Sequence, residues 1–290
     1  MIKTFDTKNL KYLFRPKDKS SGEENGQVTI IGGSKLFHGA PILALKTASR
    51  IVDMVFFASP DTTTGKVAEQ IKSSLMSFVW VPWEETDAYI GKSDAVLIGP
   101  GLMRFTSESQ NPNDKTQMTN DKEGKRTRDI TEKFLKKFPE KRWVIDAGSL
   151  QVIKPEIIPP GAIITPNCKE YRLLFNDMPV EEASKKYNCI IILKGSEAIV
   201  CSPEKCTRVV NGNPGMTKGG TGDVLAGLVT ALYAKNDAFL SATAASYIEK
   251  FTADELYKKK GIYYNADDLA DEIPESFITV SRKSRALARG

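Results

Sequence analysis

The 290-residue sequence has little of the chemistry that binds soft metals or crosses membranes. It contains only four cysteines and one histidine, and the cysteines form no C-x-x-C pair, which excludes an ordinary zinc site. No stretch approaches the roughly 18 consecutive apolar residues that a membrane helix needs. We therefore expect no membrane contact, and we predict reduced, mostly buried side chains for Cys168, Cys189, Cys201 and Cys206.

Strong charge clustering is missing as well. The formal net charge is only +5, and lysine and arginine are scattered instead of grouped with aromatic residues, which argues against nucleic acid as a partner. Anionic small molecules remain compatible with this mild positive charge. The charged N-terminal segment has neither the apolar stretch nor the small-residue cleavage site of a secretory signal, so we expect a cytoplasmic protein.

Short apolar runs predict a parallel sheet. Most of them are uninterrupted, which is typical of strands buried on both faces, and helix-length segments separate many of them. This alternation predicts a three-layer α/β/α fold around a central, mostly parallel sheet. The runs cover residues 28–31, 54–58, 78–81, 95–98, 143–145, 162–165, 189–193 and 198–201.

The chain reads as one catalytic domain over residues 26–280. Residues 1–25 are predicted to form an N-terminal extension and residues 281–290 a basic tail. Residues 103–129 are polar and nearly free of aliphatic side chains, so we predict a mobile insertion there, with a lid as the less favoured alternative.

The stretch "NGNPGMTKGGTGDVLAGLVTAL" (211–232) is predicted to bind an anion. Glycines let backbone N–H groups approach an anion closely, and a helix that starts beside them adds the positive end of its dipole. Gly220, Thr221 and Gly222 would form this turn, and Asp223 would lie at the first turn of the helix. It is not a Walker A loop, because Lys218 precedes the glycines. The alternative is that Asp223 only caps the helix.

Other strand-end loops carry candidate groups with open alternatives. "ILKGSEAIV" (192–200) is either a site loop or an ordinary hairpin. In "ITPNCKE" (164–170), the oxygens of Asn167 and Glu170 suit Mg²⁺ through water, although a helix start with a first-turn glutamate gives the same pattern. Asp146 at the end of a strand is equally consistent with a cap and a site carboxylate, and His38 is expected to be incidental.

In this order, and with "GGSKLFHGAP" (32–41) and "IGPGL" (98–102), these segments resemble the ADP/ATP-dependent NAD(P)H-hydrate dehydratases of the ribokinase-like superfamily. The resemblance runs from about Arg15 to Phe277, and its most specific part is "GNPGM" leading into "GGTGD". The sequence departs from the family pattern in having Asn167 where a histidine is usual and "DAGSL" in place of "DADAL". Only about two dozen residues precede the first predicted strand, so we expect no epimerase domain in this chain.

The resemblance implies a ribokinase-like fold and a repair reaction. Such enzymes use ADP or ATP to convert the (S)-hydrate of NADH or NADPH back to the dinucleotide, through phosphorylation of the ring hydroxyl and elimination of phosphate. It also implies Mg²⁺ as a cofactor, a homo-oligomer such as a tetramer, and a separate epimerase acting in the same pathway.

The resemblance also implies roles for single residues. Asp223 would be the general base, and Gly220, Thr221 and Gly222 would stabilise the transferred phosphoryl group. Asn167 and Glu170 would lie near Mg²⁺ through water. The adenine nucleotide would contact Lys194, Gly195, Ser196, Glu197, Ala198 and Gly222, and the hydrate would contact Ala40, Gly101, Asn167 and Asp223.

Two rival functions use the same features. A ribokinase-like kinase of a thiazole or hydroxymethylpyrimidine alcohol would stop after phosphoryl transfer, and the "GGS…GA" and "GNPGM" segments disfavour it. A regulatory protein that keeps the fold without turnover is disfavoured by the intact "GGTGD".

Overall fold

The computed structural model describes residues 2–105 and 115–287. Its strands form one ten-stranded sheet in the order β1-β10-β9-β8-β7-β6-β5-β2-β3-β4. The strands are β1 (Lys3–Thr4), β2 (Gln27–Ile31), β3 (Met54–Ala58), β4 (Val79–Trp80), β5 (Ala95–Ile98), β6 (Arg142–Ile145), β7 (Ile163–Ile164), β8 (Ile190–Leu193), β9 (Ala198–Cys201) and β10 (Cys206–Val209).

The sheet is mostly parallel, as predicted. Strands β4 to β8 pair in parallel through β3, β2, β5, β6 and β7, and the antiparallel pairs are β8–β9 and β9–β10. The central strands are buried on both faces, because alternate side chains enter different cores. In β5, Leu97 belongs to one core, whereas Val96 and Ile98 belong to the other. This double burial explains the uninterrupted apolar runs.

Helices cover both faces of the sheet and complete the three layers. Helices α1, α8, α9 and α10 contribute to one core, and α4, α6 and α7 contribute to the other. No helix within the described ranges combines the length and apolar character needed to cross a bilayer. The helices are α1 (Gly39–Ala48), α2 (Thr62–Ile71), α3 (Thr86–Lys92), α4 (Lys115–Lys137), α5 (Ala147–Leu150), α6 (Cys168–Phe175), α7 (Val180–Tyr187), α8 (Thr221–Tyr233), α9 (Ala238–Lys260) and α10 (Ala266–Leu287).

The predicted insertion over 103–129 needs correction. Residues 115–129 form the first part of α4, and only residues 106–114 of this segment lie outside the described residues. The sequence of the helix is polar at its start, and its buried side chains include Thr127, Thr131, Phe134 and Leu135. Low hydrophobicity at its start therefore did not mean absence of structure.

The N-terminal segment is part of the domain, not an appended extension. Strand β1 pairs with β10, and Leu10 and Leu13 are buried in the main core. At the other end, α10 continues to Leu287, so the predicted basic tail is helical as far as the structure describes it.

The prediction of four reduced cysteines was wrong for one pair. Cys201 and Cys206 lie opposite each other on β9 and β10 and form a disulfide, with Cα atoms 4.1 Å apart. Strand β10 was not predicted, so nothing in the sequence pattern placed the two residues side by side. Of the free cysteines, Cys189 is buried as expected, and Cys168 is exposed.

Candidate active site

The "GGTGD" turn opens helix α8 as the sequence predicted. Gly220 is the N-cap residue, and its φ of +97° lies in the left-handed region that favours glycine. The Thr221 hydroxyl donates to the carbonyl oxygen of Met216 at 2.8 Å, which fixes the turn to the segment before it. The first backbone N–H groups of the helix have no intrahelical acceptor, so this turn can bind an anion.

The "GNPG" segment before this turn is held in place by side chains from other elements. The Tyr264 hydroxyl donates to Asn213 Oδ1 at 2.8 Å, and Asn213 Nδ2 donates to Asp254 Oδ1 at 3.1 Å. The backbone N–H of Gly212 donates to the second oxygen of Asp254 at 3.2 Å. These hydrogen bonds hold the "GNPG" segment in a fixed position beside the turn.

A cavity of about 590 Å³ lies beside the turn, and we call it the first cavity. It brings together most residues predicted to contact a nucleotide. Glu197 is the exception, since it is exposed and faces Arg208 at 3.7 Å. The loop that supplies these residues is the hairpin between β8 and β9, so the hairpin alternative is confirmed, and its role as a site loop stays a prediction. The lining residues are Lys194, Gly195, Ser196, Ala198, Gly212, Asn213, Pro214, Met216, Thr217, Thr221, Gly222, Leu225, Ser246, Glu249 and Lys250.

Four charged side chains converge between β6, β8, α6 and α8, and we call them the charged cluster: Asp146, Glu170, Lys194 and Asp223. Lys194 Nζ lies 3.0 Å from Asp146 Oδ1, and that oxygen also accepts a hydrogen bond from Thr165 at 2.6 Å. Although burial alone would lower the pKa of Lys194, the three carboxylates raise it above its ordinary value. Lys194 therefore stays a cation at neutral pH.

Asp223 has the properties of a base. Burial raises its pKa to about 7, and the carboxylates of Asp146 and Glu170 add to this rise while Lys194 opposes it. Within the described chain its side chain has no hydrogen-bond partner, so it does not cap α8. A carboxyl group with this pKa and unused oxygens is poised to take up a proton near neutral pH.

Asn167 and Glu170 form a capping box at the start of α6. Asn167 Oδ1 accepts from the backbone N–H groups of Lys169 and Glu170, and Glu170 Oε2 accepts from the Asn167 N–H at 2.8 Å. Glu170 Oε1 accepts from Gln151 Nε2 at 2.9 Å. Burial raises the pKa of Glu170. The helix-start interpretation of this motif is therefore confirmed, and no cluster of three metal-ligating side chains occurs among the described residues.

A second cavity, of about 900 Å³, lies on the other side of Glu170. Its charged wall is mainly basic, with Arg104, Lys169 and Arg172 against the single acid Glu170. The apolar part includes Leu36 and Phe37, which are largely exposed. The lining residues are Leu36, Phe37, Met103, Arg104, Phe105, Gln151, Asn167, Lys169, Glu170, Arg172 and Leu173. Two members of the charged cluster contact different cavities, since Lys194 lines the first and Glu170 lines the second.

The other residues predicted to face the hydrate, Ala40, Gly101 and Asp223, do not line the second cavity. Gly101 is buried in a tight turn, with a φ of +72°, two residues before Met103. Ala40 is half-buried near the start of α1. His38 only contacts Thr63, at 3.1 Å, in agreement with an incidental role.

Sequence reasoning missed two charged residues of the first cavity, Glu249 and Lys250. Both lie on α9 and are only 5% exposed. Lys250 Nζ donates to the carbonyl oxygens of Gly195 at 3.2 Å and Ser196 at 2.8 Å. Burial raises the pKa of Glu249 to about 7. The available signal was an acid–base pair inside an otherwise small and apolar helical stretch, "ATAASYIEKFTA".

The structure has a ribokinase-like fold. The structure superposes on a ribokinase-like superfamily protein from Enterococcus faecalis with a TM-score of 0.78 at 19% identity, covering 97% of this chain and 96% of that one. It superposes on the ADP/ATP-dependent NAD(P)H-hydrate dehydratase from Bacillus subtilis, co-crystallised with ATP/Mg²⁺, with a TM-score of 0.75 at 19% identity over 96% and 99% of the two chains.

Within this class, the chain belongs to the NAD(P)H-hydrate dehydratase family, whose model matches residues 28–275. It is 35% identical over 274 residues to the bifunctional NAD(P)H-hydrate repair enzyme of Methanocaldococcus jannaschii, covering 92% of this chain and 51% of the relative. It is 30% identical to the ADP-dependent (S)-NAD(P)H-hydrate dehydratase of Nitrosopumilus maritimus, covering 91% and 92%. The chain therefore spans about half the length of the bifunctional relative.

Proposed function

We propose that this protein uses ADP or ATP to dehydrate the (S)-hydrate of NADH or NADPH. One observation carries the proposal: Asp223, with a pKa near 7 and no hydrogen-bond partner in the described chain, follows a glycine turn whose Thr221 and Gly222 line the first cavity. Family membership favours this reaction over the kinase alternative, in which the same groups would stop after phosphoryl transfer.

Phosphoryl transfer would come first. The ring hydroxyl oxygen attacks the terminal phosphorus of the nucleotide, the bond to the leaving phosphate oxygen breaks, and Asp223 takes the hydroxyl proton. The backbone N–H groups of Gly220, Thr221 and Gly222 stabilise the charge on the transferred oxygens, and such preorganised donors supply the larger electrostatic effect.

Elimination would follow. Hydroxide is a poor leaving group, and phosphorylation replaces it with phosphate. The C–O bond breaks with its electron pair leaving on phosphate, a proton leaves the neighbouring ring carbon, and the ring double bond is restored. No oxidant or reductant is needed.

The nucleotide would occupy the first cavity. Lys194, Ala198 and Gly222 line it, and Lys194 brings a fixed positive charge near the turn. A methyl group on Gly222 would lie 3.2 Å from Lys194 Nζ, so a glycine here keeps the lysine and the turn close together. Glu197 would reach the nucleotide only from the exposed side of the hairpin.

The hydrate would occupy the second cavity. A dinucleotide carries a pyrophosphate, and NADPH carries one phosphate more, which matches a wall containing Arg104, Lys169 and Arg172. The aromatic side chains of Phe37 and Phe105 offer flat apolar surface to a ring. Asn167 lies in this wall, and Ala40 and Gly101 would shape its edge.

The donor set near the charged cluster fits Mg²⁺ through water. Each carboxylate oxygen of Glu170 accepts one hydrogen bond and keeps a further lone pair, whereas Asn167 Oδ1 uses both of its lone pairs in the capping box and leaves its N–H₂ group to contact water. Oxygen ligands are those that Mg²⁺ prefers. When bound, Mg²⁺ would neutralise charge on the donor phosphates. Asn167 and Glu170 would orient its water shell and keep their own positions through the capping box.

The decisive experiment is to incubate the protein with the (S)-hydrate of NADH, Mg²⁺ and either ADP or ATP. We expect the dihydropyridine absorbance to recover with at least one of the two donors. We expect no recovery of this absorbance when the (R)-hydrate is the only substrate. No recovery with either donor contradicts the proposal. Phosphorylation of thiazole or hydroxymethylpyrimidine alcohols in a parallel reaction would favour the kinase.

The proposal extends to the setting of the reaction. We expect small-molecule partners only, a cytoplasmic location, a homo-oligomer such as a tetramer, and a separate epimerase that supplies the (S)-hydrate. Light scattering on the purified protein tests the assembly, and a monomer at micromolar concentration would contradict it.

A further inference from the structure

Glu249 is the unexplained group of the first cavity. The residue is only 5% exposed, yet its side chain makes no hydrogen bond or ion pair in the described chain. Among the described residues, the side-chain polar atoms that are fully buried and have no hydrogen-bond partner do not include those of Glu249. They belong to Asn25, Thr64, Asp87 and Ser276. The carboxyl oxygens of Glu249 therefore keep access to the cavity that the residue lines.

The neighbouring cations do not satisfy Glu249. Lys250 Nζ is bound to the carbonyl oxygens of Gly195 and Ser196, and Lys194 Nζ is bound to Asp146 at 3.0 Å. Both lysines influence Glu249 only from beyond ion-pair distance. A buried carboxyl without a partner costs free energy, so a ligand that donates hydrogen bonds would remove this cost.

The chemistry of an adenine nucleotide limits what that donor can be. Ionised phosphates only accept hydrogen bonds, and a carboxylate repels them. The donors of ADP and ATP are the exocyclic amine of adenine and the ribose hydroxyls. In the proposed function the phosphates would bind at the turn of Thr221 and Gly222, and the apolar side chains of Met216 and Leu225 line the same cavity.

We infer that Glu249 accepts a hydrogen bond from an N–H or O–H donor of the nucleoside and thereby selects the nucleotide and sets its direction in the cavity. The inference rests on the proposed function, since it requires an adenine nucleotide in the first cavity. Glu249 acts in binding and selection and takes no part in proton transfer.

Calorimetric titration with ADP, 2′-deoxy-ADP, 3′-deoxy-ADP and inosine diphosphate tests the inference. Each deoxy analogue lacks one hydroxyl, and inosine replaces the amine with an oxygen that only accepts. In the unaltered protein above pH 7, where Glu249 is mainly ionised, the analogue that lacks the recognised donor should bind about 10-fold more weakly than ADP, as expected for a hydrogen bond to a charged group.

Glu249→Leu keeps the volume but removes the acceptor, and Glu249→Gln keeps an oxygen acceptor. In Glu249→Leu the dissociation constants of ADP and that analogue should converge to within about 2-fold, and Glu249→Gln should restore part of the discrimination. Glu255→Gln, on the same helix and paired with Lys258, is the matched control and should bind like the unaltered protein.

Two outcomes overturn the inference and can be told apart. If ADP binds and Glu249→Leu keeps the same ratios between ADP and every analogue, Glu249 is not the acceptor, and the proposed function stands. If the unaltered, folded protein binds no adenine nucleotide, the inference and the proposed function both fail. Circular dichroism of each variant separates a binding loss from unfolding.

Discussion

The two cavities are built in different ways. The first is formed by two continuous segments, the β8–β9 hairpin and the loop into α8, together with one face of α9, and backbone hydrogen bonds and glycines fix its shape. The second is formed by side chains from four separate places in the chain, including exposed Leu36, Phe37 and Leu173. The glycine turn of the first cavity offers backbone N–H groups whatever the neighbouring side chains are, whereas a wall of exposed side chains can change its selectivity by substitution.

The charged cluster connects this difference to chemistry. Its members come from both sides: Lys194 lines the first cavity and Glu170 the second. Asp223 responds electrostatically to both of them. We therefore expect substitutions in the cluster to affect turnover, and substitutions in either cavity to affect mainly the ligand bound there.

Asp223→Asn should have the largest effect. Asparagine keeps the shape but cannot take the hydroxyl proton, so turnover should fall by ~10²–10⁴ while the dissociation constant of ADP stays nearly unchanged. The measurement is steady-state dehydration together with calorimetric binding of ADP. Asp177→Asn, at an exposed turn, is the control and should be fully active. A fully active Asp223→Asn variant would contradict the role of Asp223 in the charged cluster as the general base.

The pH dependence should be the next largest effect. Asp223 is protonated below its pKa of about 7 and cannot then accept a proton, so activity should rise with pH up to that value. At saturating ADP, kcat/KM for the hydrate should fall about tenfold per pH unit below it. Residual turnover of Asp223→Asn should lack this slope. A flat profile in the unaltered enzyme would show that Asp223 does not titrate during turnover.

A change in the basic wall of the second cavity should alter hydrate binding alone. In the double variant Lys169→Gln with Arg172→Gln, KM for the hydrate should rise by roughly 10-fold, because two charge-assisted contacts to phosphate are lost. The affinity for ADP should not change. Lys136→Gln removes an exposed lysine paired with Glu132 and serves as the control. An equal loss of ADP affinity would show that the two cavities act as one binding site.

Tyr264→Phe should have the smallest effect. It removes the hydroxyl that donates to Asn213 Oδ1 and leaves the ring in place, so the wall formed by the "GNPG" segment should loosen only slightly. We expect about 5-fold weaker ADP binding and unchanged KM for the hydrate, in line with the loss of one hydrogen bond of about 1 kcal/mol. A change in KM for the hydrate without a change in ADP affinity would show that the "GNPG" segment contributes to the second cavity instead.

The sequence predicted the sheet well, because double burial leaves a clear pattern. The runs 54–58, 95–98 and 198–201 coincide with β3, β5 and β9. Strand β10 was missed because its alternating "CTRV" lies near the sheet edge, where one face is partly exposed. The disulfide was missed with it, and the helical part of 103–129 was missed because the sequence there is polar and has few of the apolar residues that mark a packed helix.

The sequence by itself determined the elements whose chemistry is local. The "GGTGD" turn, the capping box at Asn167 and the hairpin at Gly195 each need only neighbours in the chain, so the residue order is sufficient to predict them. The tertiary structure alone decided which distant side chains meet. It placed Asp146, Glu170 and Lys194 around Asp223, raised the pKa of that carboxyl through shared burial, and brought Glu249 from α9 into the first cavity. Burial and Coulomb interactions depend on distances in space, and no pattern of spacing along the chain encodes these distances directly.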